Sequence, residues 1–384
     1  MDELQRHRLT FTLLMPVVSA FLKLQFNYQY DDLSKIEGPY ILVANHNMEL
    51  DPASIGVAVG HQIYFVASEH IARKGLGTWF LMTFFKPILH RKGRQGVNTV
   101  KQMLKTLRAG NSVCIFPEGN RSFNGRTGAM LPAIGKVART SGAKLVTYRF
   151  EGGYLTQPRW SLSWRRGKLK GRLVRVYSQE ELKAMTNEQV NEVICSDLYE
   201  DAYATQKKER IAFRGKKLAL GMESALFMCP DCGQIGTLHS NATHLYCDCG
   251  FRAMYDVYGE LTDQSGKKYT ITELDLWQRE KLLEYQEKHM DGTPLFGDKV
   301  TMYEIGEDHT VVSRQDGTVA AYTDHLECCG RTLMYESMQG MAVYSRNSIA
   351  IHLDGEVNHL EMKSDERFCA LKYLYLYEIK EEGK

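Results

Sequence analysis

The sequence predicts an α/β sandwich around a mostly parallel sheet, followed by a four-cysteine segment and a small antiparallel β domain with a closing helix. Three observations predict it. Apolar strand signals alternate with helical spacings between residues 40 and 177, the pattern of a parallel sheet covered by helices. Four cysteines then cluster between 229 and 249. Hairpin signals dominate the remainder of the chain.

The elements read in order. Strands are expected over 40–44, 63–67, 112–116, 144–150 and 169–177, with a short one over 88–91. Helices are expected over 75–85 and 132–140, and a third is marked by Val97, Val100, Leu104 and Leu107 with Gly110 at its C-terminal cap. Thr186 and Gln189 form a capping box ahead of a long polar helix ending near Lys208. Beyond 226, turns are expected at Gly266, Asp316-Gly317 and Asp354-Gly355, with a helix near 276–289 and a closing helix over 367–379. Segment 337–378 resembles a pleckstrin-homology-like end, a hairpin followed by a terminal helix. The expected domains are an N-terminal membrane-associated helix over 1–30, an α/β domain over 31–225, a cysteine ribbon over 226–252 and a β-rich domain over 253–384.

At 384 residues, with 43% hydrophobic and 24% charged residues, the composition excludes a disordered chain and calls for two or three domains. The net charge of +2 hides a split. Residues 1–228 hold 33 basic and 19 acidic residues, a net +14, and residues 229–384 hold 15 and 27, a net −12. The basic part suits phosphate esters or an acidic membrane face. The nine cysteines form no disulfide framework, which implies a reducing compartment. A 14-residue uncharged stretch, Leu9 to Leu22, is short for a membrane span and fits an interfacial helix. A secretory signal is the competing reading, since Val18-Ser19-Ala20 resembles a cleavage site; Asp2, Glu3 and the downstream thiols weigh against it.

Two short islands carry the chemistry. Asn45 to Asp51 sets His46 and Asp51 five positions apart after an apolar strand, and Phe116 to Ser122 ends another strand with Glu118, Gly119 and Arg121. Histidine is a base near neutral pH, and a carboxylate on its second nitrogen fixes the tautomer that can accept a proton. The structural alternative makes Asp51 an ordinary helix N-cap before Pro52. Arg91 and Arg121 could each grip a phosphate bidentately, Glu118 could hold a hydroxyl, and Gly119 lets backbone approach a ligand. The ordinary alternative for a lone arginine is a surface ion pair. Together the islands suggest a base, its orienter and an anion clamp meeting in one cleft.

Asn45-His46 with Asp51, Pro87 to Arg91, and Phe116-Pro117-Glu118-Gly119-Asn120-Arg121-Ser122 resemble the first three motifs of the glycerophospholipid acyltransferase family, and most of all its lysophosphatidic acid (1-acylglycerol-3-phosphate) acyltransferases. The resemblance covers roughly residues 30–180. It implies an acyltransferase-type sandwich, His46 as general base, Asp51 as its partner, and Arg91, Glu118, Gly119 and Arg121 as acceptor-binding residues. It also implies an acyl-CoA or acyl-carrier-protein donor and a membrane-resident product. A lysophospholipid acceptor, and a peripheral or monotopic protein at the cytoplasmic face of a membrane, are the expectations that follow. Asn120 stands where the family usually has threonine, and the strand at 144–149 lacks the proline of the fourth motif.

Two further clusters remain. Arg159-Trp160, Trp164-Arg165-Arg166, Lys168, Lys170, Arg172 and Arg175 form the densest basic run, expected to meet lipid headgroups first, to be a solvated hairpin edge guarded by charge second, and to meet nucleic acid third. Cys229, Cys232, Cys247 and Cys249 form two knuckles separated by 14 residues, the spacing of a structural zinc site, with His239 or His244 as possible substitute ligands. The alternative to an enzyme is a non-catalytic, membrane-anchored zinc-ribbon binding or regulatory protein. No G-x-S-x-G elbow and no P-loop is present.

Overall fold

The computed structural model describes residues 3–69, 75–90, 96–289, 292–307, 310–364 and 368–382. The chain divides into two compact units, one comprising 1–159 and 164–215, the other 160–163 and 216–384. The passage between them falls at Gly215 and Lys216, ahead of the composition shift at 226.

The first unit contains, in order, α1 (Glu3–Phe26), β1 (Gln29–Tyr30), β2 (Tyr40–Ala44), α2 (Asp51–Val59), β3 (Tyr64–Ser68), α3 (Gly75–Phe84), β4 (Ile88–His90), α4 (Val97–Arg108) and β5 (Val113–Ile115). It continues with α5 (Ala133–Thr140), β6 (Lys144–Glu151), α6 (Gly153–Thr156), β7 (Lys170–Tyr177), α7 (Gln179–Ala184), α8 (Asn187–Leu198) and α9 (Ala202–Glu209). The seven strands run in the order β1-β7-β6-β2-β5-β3-β4. All neighbours are parallel except β6 and β7. Strand alternation splits the core between the two faces. Tyr40, Leu42 and Ala44 of β2 pack with α2 residues such as Ile55 and with Leu22 and Phe26 of α1. Ile41 and Val43 pack with residues of α4, α5 and α8.

The structure corrects several expectations in this unit. The N-terminal helix has 24 residues and includes Pro16. At 1.5 Å per residue it is about 36 Å long, so its length and composition would suffice to cross a bilayer core. The uncharged stretch understated it, because helix continues through the flanking polar residues. One side of α1 packs on α2, where a Cβ on Gly56 would meet Met15 Sδ at 2.9 Å. Leu9, Leu13, Val17, Phe21 and Leu24 form an exposed apolar stripe at three- and four-residue intervals. The Thr186 capping box is present, but the helix it starts ends at Leu198; Asp201 caps a separate helix by accepting the N–H groups of Tyr203 and Ala204. The basic run is only in part a surface layer: Trp164, Arg166 and Arg175 are exposed, but others are not. Arg159, Trp160, Arg165 and Lys170 are buried. Arg172 pairs with Asp31 at 3.2 Å and Arg175 with Glu181 at 2.8 Å. Long apolar stems let these cations bury their bulk.

In the second unit, β8 (Leu238–Ser240), β9 (His244–Cys247), β10 (Arg252–Tyr255), β11 (Leu261–Asp263) and β12 (Lys268–Tyr269) form an antiparallel sheet in sequence order. After α10 (Ile271–Lys288) come β13 (Phe296–Ile305), β14 (Val311–Ala321), β15 (His325–Cys328), β16 (Arg331–Met334), β17 (Met338–Ser345), β18 (Ser348–Leu353), β19 (His359–Lys363) and α11 (Ala370–Glu382). These seven strands are antiparallel in the order β16-β15-β14-β13-β19-β18-β17. Turns fall at Gly266 and Gly355, both with positive φ, as expected. Asp316-Gly317 is no turn. It lies within β14, opposite Thr301 and Val300. Asp316 accepts a hydrogen bond from Thr301 Oγ1 at 2.6 Å, and a Cβ on Gly317 would meet Cys329 Sγ at 2.9 Å. The glycine is there for close packing.

Candidate active site and cysteine cluster

β2 and β5 are parallel neighbours, so their carboxyl ends open on one edge of the sheet, where ligands of open α/β sheets bind. The loop after β2 carries His46, and the loop after β5 carries Glu118, Gly119 and Arg121.

Asp51 is the first residue of α2, not its cap, and its carboxylate turns back into the loop. Oδ2 accepts from His46 Nδ1 at 2.8 Å, from the Asn47 N–H at 2.6 Å and from the Met48 N–H at 2.9 Å. Asp51 is fully buried, whereas the His46 side chain is 21% exposed. The imidazole stacks on Phe116, with ring centroids 4.5 Å apart. Two directions of the ring are therefore fixed. With Nδ1–H donated to the Asp51 carboxylate, His46 carries its lone pair on Nε2.

The second loop grips the backbone of His46. Glu118 accepts the His46 N–H through Oε1 at 2.6 Å and the Gly128 N–H through Oε2 at 2.7 Å, and the Ser122 N–H donates to the His46 carbonyl at 2.9 Å. Both carboxylate oxygens of Glu118 are thus engaged in joining the two loops. Burial pushes its carboxyl up to about 8, and the two N–H donors oppose that shift. Gly119 adopts φ +67°, the left-handed conformation that glycine permits. Asn45 clamps the first loop to β6: its Oδ1 accepts the Phe150 N–H at 2.7 Å and its Nδ2 donates to the Phe150 carbonyl at 2.9 Å. Asn47 Nδ2 donates to Glu200 Oε2 at 3.3 Å.

Arg121 donates through Nη2 to Glu49 Oε1 at 3.3 Å. Glu49 in turn accepts from Gln157 Nε2 at 3.3 Å, and its N–H donates to Gln157 Oε1 at 3.1 Å. Behind Arg121 lies Arg159, whose Nη1 donates to Asn120 Oδ1 at 3.1 Å and to the Arg121 carbonyl at 3.3 Å. Its guanidinium sits 4.0 Å from the centre of the Phe123 ring. Burial lowers the pKa of both arginines, and in Arg159 the neighbouring Arg121 adds to the effect. Arg91 lies outside the described residues.

Residues 25–151 match the family model described as Acyltransferase. The matched span contains His46, Asp51, Glu118, Gly119 and Arg121, so the loops that carry them lie in the segment similar to acyltransferases. The chloroplastic 1-acyl-sn-glycerol-3-phosphate acyltransferase LPAT1 of Arabidopsis thaliana is 28% identical over 123 residues, which are 32% of this chain and 34% of that protein. The chloroplastic 1-acyl-sn-glycerol-3-phosphate acyltransferase BAT2 of Brassica napus is 26% identical over 123 residues, 32% of this chain and 36% of that protein. The chain thus spans about a third of the length of these curated relatives. The crystal structure of the 1-acyl-sn-glycerophosphate (LPA) acyltransferase PlsC from Thermotoga maritima is 20% identical, covering 48% of this chain and 78% of that one, with a TM-score of 0.39.

Outside the matched span, the structure adds Gln157, Arg159 and Glu200 to the surroundings of the His46 and Glu118 loops. Sequence reasoning placed Arg159 in a lipid-facing run and passed over the other two. The hydrogen-bond partners of these three named above lie 38 to 153 positions away, beyond any local motif.

The four cysteines of the second unit converge: their sulfurs all lie within 4.8 Å of one another. Cys229 and Cys249 sulfurs are 3.7 Å apart, and those of Cys232 and Cys247 are 3.8 Å apart. Zinc–sulfur bonds of about 2.3 Å in a tetrahedron give edges of about 3.8 Å, so the donor set fits a closed zinc-thiolate centre. His239 instead pairs with Asp248 at 2.9 Å, and His244 Nδ1 lies 2.8 Å from Thr243 Oγ1.

Proposed function

We propose that this chain transfers a fatty acyl group from a thioester, acyl-CoA or acyl carrier protein, to the free hydroxyl of lysophosphatidic acid, giving phosphatidic acid. The observation that carries the proposal is the His46–Asp51 pair, buried on the aspartate side, stacked on Phe116 and set within a segment similar to acyltransferases.

In this reading His46 Nε2 takes the proton of the acceptor hydroxyl as that oxygen attacks the thioester carbon. The tetrahedral intermediate collapses, the ester forms, and the departing thiolate takes the proton from His46. Asp51 holds the tautomer and stabilises the imidazolium between the two transfers. Arg121 and Arg91 receive the acceptor's phosphate. Glu118 holds the two loops in register, and Gly119 supplies the turn that brings backbone near the acceptor.

The exposed stripe of α1 is the surface that meets the membrane. Trp164 extends it, being exposed and placed 5.8 Å, ring to ring, from Phe21. The cysteine tetrad holds one zinc ion, which supplies folding free energy to a segment with little core of its own. The test is acyl transfer by the purified full chain, given oleoyl-CoA and a panel of lysolipids. Product from lysophosphatidic acid that disappears in His46→Ala supports the proposal, and product from the variant at the parent rate refutes the assignment of the base.

A further inference from the structure

The acid at the rim of the site, Glu49, has no part in the acyl transfer itself. It sits in the loop between His46 and Asp51, and its side chain is 60% exposed. One carboxylate oxygen is on Arg121 Nη2 and the other on Gln157 Nε2, both at 3.3 Å. Gln157 is buried and, through its Oε1, also holds the Glu49 N–H. The acid is thus steered onto the guanidinium from a fixed base. The Arg121 side chain is only 17% exposed, so the carboxylate stands on the anion position that an incoming phosphate needs.

We propose that Glu49 is a built-in counter-anion, a latch that occupies Arg121 until the acceptor's phosphate displaces it and that thereby sets how strongly the site prefers phosphate-bearing acceptors. The inference rests on the reading of Arg121 as the phosphate-binding residue. The latch is weak by construction. It is a single long contact from a largely exposed acid, of the kind that shifts an equilibrium by roughly 1.5- to 5-fold. A phosphate can engage two of the guanidinium nitrogens at once and makes the stronger bond. Glu49 therefore releases readily, leaving the desolvated cation paired in the resting state and exposed to the acceptor only on exchange.

The experiment compares the parent with Glu49→Gln, using the full chain and three acceptors: lysophosphatidic acid, the uncharged monoacylglycerol and lysophosphatidylethanolamine. The amide retains the contact with Gln157 and removes the competing charge. The ratio of kcat/KM for lysophosphatidic acid to that for monoacylglycerol should rise by roughly 1.5- to 5-fold in the variant at low salt, and the rise should shrink as salt is added. A substitution that merely disturbs the loop lowers both values together and leaves the ratio alone. An unchanged or reduced ratio overturns the inference, as does a specific loss of activity toward lysophosphatidylethanolamine, which would make Glu49 a partner for the acceptor's ammonium group. Inorganic phosphate titrated into the same two proteins reads the latch without turnover: tighter binding by Glu49→Gln is expected, and equal binding contradicts it. A parent chain that acylates no acceptor would refute the proposed activity while the phosphate titration still decides the latch.

Discussion

At the scale of single residues, Asp51 gathers three donors onto one oxygen, from the His46 ring and the backbone of Asn47 and Met48. That cluster explains why the carboxylate is buried and why it cannot be exchanged for an amide without consequence. In Asp51→Asn the side chain still fills the space, but the preference for the Nδ1-protonated tautomer is lost. Steady-state assays should show kcat down by roughly 10²–10⁴ with the fold intact by circular dichroism; a kcat within twofold of the parent (about 0.4 kcal/mol) would remove Asp51 from the mechanism. Glu200 makes a second prediction. It is buried, and burial, aided by Glu151, pushes its carboxyl up to about 8 from an ordinary value of 4.5. A carboxyl raised on folding binds its proton more tightly in the native state. Its stabilising contribution is therefore full below about 4.5 and is lost as pH rises through about 8. Thermal unfolding should show Tm falling over that window, and Glu200→Gln should flatten the fall; an identical slope in the variant contradicts the assignment. His46, Asp51, Glu118 and Arg121 were legible in the sequence because each motif is compressed into seven positions. Glu200 and Gln157 were not, because they reach the same loops only through the fold.

At the scale of elements, periodicity announced most strands and helices, and its failures have physical causes. The helix started by Thr186 was expected to run on because nothing in its polar sequence breaks the period, yet Asp201 starts a new helix by capping its N–H groups. The Asp-Gly pair in β14 has the composition of a turn, but close approach of Cys329 gives the glycine another use. In α1 the apolar residues were legible and their division into two faces was not, since only docking on α2 decides which side stays exposed. Replacing Leu13 and Val17 by glutamate leaves the packed side untouched. Co-sedimentation with phosphatidylglycerol vesicles should then fall by about tenfold or more, as expected for losing two buried aliphatic side chains worth about 1.5–3 kcal/mol each when fully buried; undiminished binding would show that α1 does not meet the membrane. The cysteine ribbon carries its own test. Metal analysis should return one zinc per chain, and Cys229→Ser with Cys232→Ser should abolish it. Chelation should lower the Tm of the parent and leave that variant unmoved. A chain that purifies without metal and folds equally well would end the zinc reading.

At the scale of the whole molecule, the net charges of +14 and −12 over residues 1–228 and 229–384 mark two parts of different chemistry, and the division into two units falls near that shift. The match to the acyltransferase family model spans residues 25–151, within the first unit. The seven-stranded antiparallel sheet and α11 of the second unit have no chemical assignment from either sequence or site geometry. The central claim is thus a claim about the first unit: one imidazole, held by Asp51, deprotonates an acceptor whose phosphate rests on arginine. The most direct measurement is formation of phosphatidic acid from lysophosphatidic acid and acyl-CoA by the purified full chain and by its His46→Ala variant. The account predicts product from the parent and a loss of roughly 10²-fold or more in the variant. Equal rates from the two proteins would contradict it.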